Sequence, residues 1–220
     1  MKITVNNVEL FYEVAGSGTP LVMVHGNGED HTVFDKAAEL LSQHFTCYLL
    51  DSRGHGSSQK VSEFHYDDMA EDVYQFIQAL HLEHVIYYGF SDGGIIGLLL
   101  AVRHPGLLDK MIISGANTRP DAVRRRLVIM LRIINRIRKN PLLTLMLTEP
   151  HISEKQLQAI DTPTLVLAGS KDLILEKDTR FIAEHIPGAS LRILEGEGHG
   201  SYIVHKTRVA ELILEYCGKA

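Results

Sequence analysis

Tryptophan is absent from the 220 residues and cysteine occurs only twice. Cys47 and Cys217 are too few for a disulfide framework. Cys47 lies in the apolar run "FTCYLL", where a buried free thiol is the expected state. No apolar run approaches the roughly 20 residues that a bilayer span needs, so stable membrane insertion is not expected. The opening "MKITVNNVELFYEVAG" alternates apolar and polar residues, as paired strands do, and lacks the charged head and apolar stretch of a leader. A reducing, cytoplasmic setting is the simplest expectation. Positive charge is not in excess: the net charge is −5 with 22% charged residues, which argues against a nucleic-acid partner. No His/Cys cluster has metal-ligand spacing, so neither metal nor cofactor is expected. No internal repeat or low-complexity segment occurs.

The sequence does contain a regular alternation. Residues are 45% apolar, enough for one domain with a real core. Short apolar runs such as "PLVMVHG", "FTCYLLD", "HVIYYGF", "KMIISGAN", "TPTLVLAG" and "SLRILEG" read as strands. Between them lie amphipathic helices, predicted over 31–43, 66–80, 92–103, 176–186 and 201–216. The first two strands read as a hairpin around Asn6-Asn7. Buried strands separated by helices predict an α/β architecture, a mostly parallel sheet with helices on both faces. Ligands on such sheets bind beyond the carboxyl ends of the strands. His25, Asp51, Ser91, Asn117, Asp172 and His199 each follow a predicted strand within a few residues, so the topology collects them on one rim.

The segment Gly89-Phe90-Ser91-Asp92-Gly93 fits G-x-S-x-G between a strand and a helix. A strand-to-helix reversal leaves no room for side chains two positions either side of the serine, hence Gly89 and Gly93. It also sets the hydroxyl at a helix N-terminus, whose free N–H groups suit a developing oxyanion. The alternative is a glycine-rich turn with an incidental serine; the flanking elements favour a nucleophile. A serine hydroxyl needs a base, and the base an orienting acid. Of twelve histidines, His199 in "GEGHGSY" follows the last strand in a glycine-rich loop; the others fall on helices, helix ends or bland loops. Asp172 in "GSKDLI" is the expected acid. Glu176 and Asp178 are rivals on a predicted helix, and an acid in the stretch 117–121 is the fallback. The order Ser91, Asp172, His199 is nucleophile, acid, base. The backbone N–H groups of Asn27 in "HGNG" and of Asp92 are the expected oxyanion donors. Gly26 lets the first loop turn inward, and His25 braces it.

Together "HGNG", "DSRGHGSS", "GFSDGG", "AGSKD" and "GEGHG", in that order, resemble the α/β-hydrolase superfamily over residues 3–217. The resemblance implies the α/β-hydrolase fold, assigns Ser91, Asp172 and His199 to catalysis, and makes Asp51 to Ser58 a structural turn near the site. A serine in the nucleophile position points away from dehalogenase or epoxide-hydrolase chemistry. Members usually insert a longer cap after the sixth strand. Here only residues 118–160 are available between core segments 1–117 and 161–220, which implies a shallow pocket or one completed by a second subunit.

That insertion is basic. From Arg119 to Lys139 there are eight basic residues and one acid, +7 in a chain of net −5. Helical spacing puts Arg125, Arg132, Arg136 and Lys139 in one stripe and Leu127, Met130, Leu131, Ile134 and Ile137 on the opposite face. The basic stripe reads as a solvated face, as an attractor of acidic substrates or lipid headgroups, or as a homodimer contact. The apolar face is expected to roof an acyl-sized pocket. The leading expectation is a serine hydrolase of small to medium carboxylic esters. Its rivals on the same scaffold are a carbon–carbon hydrolase or lyase, and a ligand-sensing protein that keeps the triad.

Overall fold

The computed structural model describes residues 1–219. Eight strands form one sheet: β1 (Lys2–Val5), β2 (Val8–Ala15), β3 (Thr19–Val24), β4 (Phe45–Leu50), β5 (Val85–Phe90), β6 (Leu108–Ser114), β7 (Thr164–Gly169) and β8 (Ser190–Leu194). Their spatial order is β1-β2-β4-β3-β5-β6-β7-β8. The hairpin β1–β2 turns at Asn6 and Asn7, both at positive φ (45° and 61°), a conformation asparagine tolerates better than most residues. β2 runs antiparallel to β4, and β3 to β8 are all parallel.

Helices connect the parallel strands: α1 (Asp35–Leu41), α2 (Tyr66–Ala79), α3 (Asp92–Arg103), α7 (Glu176–His185) and α8 (Arg208–Cys217), with α4 (Arg125–Arg138), α5 (Pro141–Thr148) and α6 (Glu154–Gln158) between β6 and β7. Strand periodicity divides the core. On β5, Val85 and Tyr87 face the layer of α2 and α3, while Ile86, Tyr88 and Phe90 face the layer of α1 and α8. All six residues of β5 and of β7 are buried, as strands covered on both faces must be. Cys47 is free and buried in the second layer, and burial pushes its thiol up to about 12.

One helical expectation needs correction. The last helix begins at Arg208, not 201. Residues 201–205 form turns, with the Ile203 and Val204 N–H groups both on Gly200 O, and His205 at φ 53° interrupts any continuous helix. The insertion, expected to be helical, holds three helices, of which α4 carries the basic stripe. Lys139 closes α4 in the left-handed region, and the Asn140 side chain caps α5 through the Leu142 N–H at 2.8 Å.

The apolar face expected on α4 turns inward only in part: Leu127, Leu131 and Ile134 are half-buried, and the basic stripe Arg125, Arg132, Arg136 and Lys139 is exposed. Met130 and Ile137 are 49% and 78% exposed, with Ile129 and Ile133 beside them. The inward side is Val128 with Leu127, packed on Val123, Ile174 and Leu147. The rotation is set by docking on a two-stranded staple: Val123 bridges Ile174, and the Arg124 N–H donates to Leu173 O at 2.9 Å.

Candidate active site

Ser91 is the one residue between the end of β5 and the start of α3. Its backbone stands at φ 53°, ψ −112°, outside the regions a side-chain-bearing residue ordinarily occupies. The strain is held by the surroundings: the Ser91 N–H donates to Ser114 O at 2.8 Å, and the Gly93 N–H to His25 O at 3.1 Å. The flanking glycines are needed for space. A Cβ at Gly89 would stand 2.2 Å from Gly93 O, and one at Gly93 would stand 2.0 Å from Val24 O.

The loops after β7 and β8 bring the base and acid to this serine. His199 Nε2 lies 3.0 Å from Ser91 Oγ, and His199 Nδ1 lies 2.7 Å from Asp172 Oδ1. Asp172 also accepts from the N–H groups of Ile174 (2.9 Å) and Gly169 (3.4 Å). Burial pushes its carboxyl up, but the bond and charge of His199 and these amides outweigh it and hold the group below its ordinary value. Arg124 Nε clamps the Asp172 carbonyl at 2.6 Å, tying the insertion to the acid. The rivals sit elsewhere. Asp178 is buried against the N–H and hydroxyl of Thr118, Glu176 pairs with Arg180, and Asp121 pairs with Arg119.

Asn27 and Asp92 meet across the site. Neither backbone N–H has a protein acceptor among the described residues. Their side chains are bonded, Asn27 Nδ2 to Asp92 Oδ2 at 2.8 Å, and Tyr66 OH donates to Asp92 Oδ1 at 2.8 Å. Burial raises the Asp92 carboxyl while these two donors oppose the rise. His25 braces the loop, its Nδ1 2.8 Å from Gly26 O and its Nε2 accepting from the Ser52 N–H at 3.1 Å. The acceptor role of Nε2 makes the ring neutral, with the proton on Nδ1. Burial lowers its pKa to about 4.

A cavity of about 200 Å³ opens in front of Ser91, lined by Gly26, Asn27, Glu29, Phe90, Met146, Leu173 and His199. No α4 residue lines it; the apolar wall comes from α5, the Asp172 loop and Phe90. A larger depression of about 780 Å³ near Asn6 and Gln75 carries neither nucleophile nor base. Four contributors were not apparent in the sequence. Glu29, Met146 and Leu173 reach the cavity through loop and helix packing. Gly115, at φ 63°, makes room for the base, because a Cβ there would stand 2.7 Å from His199 Cε1.

Among the described residues, Asp30, His31 and Asp51 lie close enough to share a cation. The Asp51 oxygens, however, already accept from the His31 N–H and ring at 2.8 and 2.7 Å and from the Ser57 N–H at 2.8 Å, a structural turn rather than an open ligand set. No helix among the described residues is long and apolar enough to cross a membrane.

The geometry places a hydroxyl, an imidazole and a carboxylate in one hydrogen-bonded row, and Asn27 lines the same cavity as the hydroxyl. Such a row can form and hydrolyse a covalent acyl intermediate. A family model described as alpha/beta hydrolase fold matches residues 19–139. The AB hydrolase superfamily protein YisY of Bacillus subtilis is 29% identical, with 97% of each chain covered. A thermophilic esterase from Thermogutta terrifontis superposes with a TM-score of 0.81 at 25% identity, covering 100% of this chain and 98% of its own. The meta-cleavage product hydrolase CumD of Pseudomonas fluorescens superposes with a TM-score of 0.82 over 100% of this chain and 97% of its own; at 18% identity this likeness concerns the fold alone.

Proposed function

The chain belongs to the alpha/beta hydrolase fold family, on a match spanning residues 19–139, and on that footing we propose that it is a serine hydrolase of small carboxylic esters. Ser91 attacks the ester carbonyl as His199 Nε2 takes its proton. The N–H groups of Asn27 and Asp92 hold the oxyanion, a role in which one donor is worth about 10²–10³ in rate. His199 then protonates the departing alcohol, and the acyl group remains on Ser91 Oγ. Water enters, gives its proton to His199 and attacks the acyl carbon, and the acid leaves as the serine is restored. Asp172 holds the imidazole in the required tautomer and stabilises the imidazolium in both steps.

The observation that carries this reading is the unbroken row Ser91–His199–Asp172, at 3.0 and 2.7 Å, facing a cavity. The strained Ser91 backbone supports a functional role for this residue, since such strain clusters at functional sites. Likeness to a thermophilic esterase at 25% identity favours the ester bond over the carbon–carbon bond. The small cavity favours short acyl groups.

Nitrophenyl acyl esters from C2 to C12, run on wild type and Ser91→Ala, test the proposal. The expected result is turnover with an optimum at the short end. Ser91→Ala should lose that turnover together with fluorophosphonate labelling. Equal rates for the two proteins, or no turnover of any ester by wild type, would overturn it.

A further inference from the structure

One charged wall of the cavity has no part in the steps above. Glu29 stands at the end of the turn that begins at Gly26. The Glu29 N–H donates to Gly26 O at 3.3 Å, and the Gly26 N–H donates to Glu29 Oε2 at 3.0 Å. This folds the carboxylate back toward the nucleophile. A Cβ at Gly26 would stand 2.8 Å from Glu29 Oε2 and 3.1 Å from Ser91 Cβ, so the two side chains border the same gap.

The carboxylate is half-buried and has no counter-ion. No lysine or arginine lines the cavity, and Glu29 enters no ion pair among the described residues. Among the described residues its Oε1 has no hydrogen-bond partner. Burial raises its pKa, the Gly26 N–H and His199 oppose the rise, and Asp92 and Asp30 add to it. The nearby buried acid, Asp92, does not line the cavity and is satisfied by Asn27 and Tyr66. A fixed negative charge beside a site where an oxyanion must form opposes that charge and repels anionic substrates. A substrate that brings a cation to Glu29 removes the opposition and gains an ion pair in a partly desolvated place.

Resting on the serine-esterase reading, we propose that Glu29 is a cation-recognising residue of the substrate cavity, and that the preferred ester carries an ammonium group within a few bonds of the scissile carbonyl. Selectivity then comes from charge at one residue: cationic esters first, neutral esters second, anionic esters last.

Near-isosteric esters test this. On the acyl side the set is methyl 4-aminobutyrate, methyl pentanoate and monomethyl succinate. On the alcohol side it is acetylcholine against 3,3-dimethylbutyl acetate. Wild type should favour the cation over its neutral isostere at least about tenfold in kcat/KM on one side, and monomethyl succinate should be slowest. Glu29→Gln, which can still accept the Gly26 N–H, should bring the cation-to-neutral ratio near one, and Glu29→Asp should restore part of it. Calorimetry on Ser91→Ala supplies a readout free of turnover. Butyltrimethylammonium should bind, and adding Glu29→Gln should weaken it about tenfold. The same cation-to-neutral ratio in wild type and Glu29→Gln, with no Glu29-dependent ammonium binding, would overturn the proposal. Ammonium binding that depends on Glu29 in a protein that hydrolyses no ester would keep the cation site and sink the esterase reading instead.

Discussion

The Asn27 side-chain amide donates to the Asp92 carboxylate at 2.8 Å, joining the two residues whose backbone N–H groups flank Ser91. One lies on the loop after β3 and the other opens α3, so this bond ties the two segments together, and on the proposed mechanism it sets the spacing of the two oxyanion donors. Asn27→Ala keeps both N–H groups but frees the loop. We expect kcat/KM on a short nitrophenyl ester to fall about 10- to 100-fold, less than losing a donor outright. Asp92 would lose one of its two partners, and urea unfolding should register a loss of about 1–3 kcal/mol.

Asp172→Asn should cost far more in rate and little in fold. Oδ1 accepts from both the Ile174 N–H and His199 Nδ1, so an asparagine that turns its NH2 to His199 presents the wrong partner and loses the Ile174 bond, and one that keeps its oxygen there loses the charge that stabilises the imidazolium. A drop in kcat on the order of 10⁴ is expected. The wild-type group also leaves a signature in stability. Its folded pKa is below the ordinary 3.8, so its contribution is complete above that value and is lost as pH falls through the lower folded value. Acid unfolding of Asp172→Asn should lack this component.

His25 has the opposite linkage. The unfolded ring titrates near 6.5 and the folded ring near 4, so the unfolded chain binds the extra proton between those values. Stability therefore rises with pH across that window and is lost as pH falls toward 4, by up to about 3 kcal/mol from this ring. Denaturant unfolding at several pH values should show His25→Asn with a slope about one proton shallower than wild type there.

Gly93→Ala should prevent the serine turn from forming. The new Cβ would press on Val24 O, a backbone atom of a central strand that cannot move aside. A destabilisation of about 2–5 kcal/mol is expected by chemical denaturation, with fluorophosphonate labelling lost in the surviving folded fraction.

The rim residues were legible because they obey local rules. Ser91, Asp172 and His199 each follow a strand, and strand ends in a parallel sheet share one edge. Gly89 and Gly93 followed from steric need at a reversal. Glu29 was not legible, since its role depends on a turn folding its carboxylate back over Gly26. Gly115 was missed for a similar reason: the ring it makes room for is His199, from another loop. The extra start at Pro141 was signalled by Asn140-Pro141, a capping pair that reads clearly only once α4 is known to stop at Arg138.

Sequence alone settled what depends on neighbours along the chain: which segments are strands, that the sheet is mostly parallel, and that Ser91, Asp172 and His199 stand together at its rim. Tertiary structure alone decided which way α4 turns, what walls the cavity, and that an unpaired carboxylate stands beside the serine. The physical reason is range. Alternation and turn chemistry act over a few residues, whereas helix rotation and cavity lining are set by contacts between segments far apart in the chain.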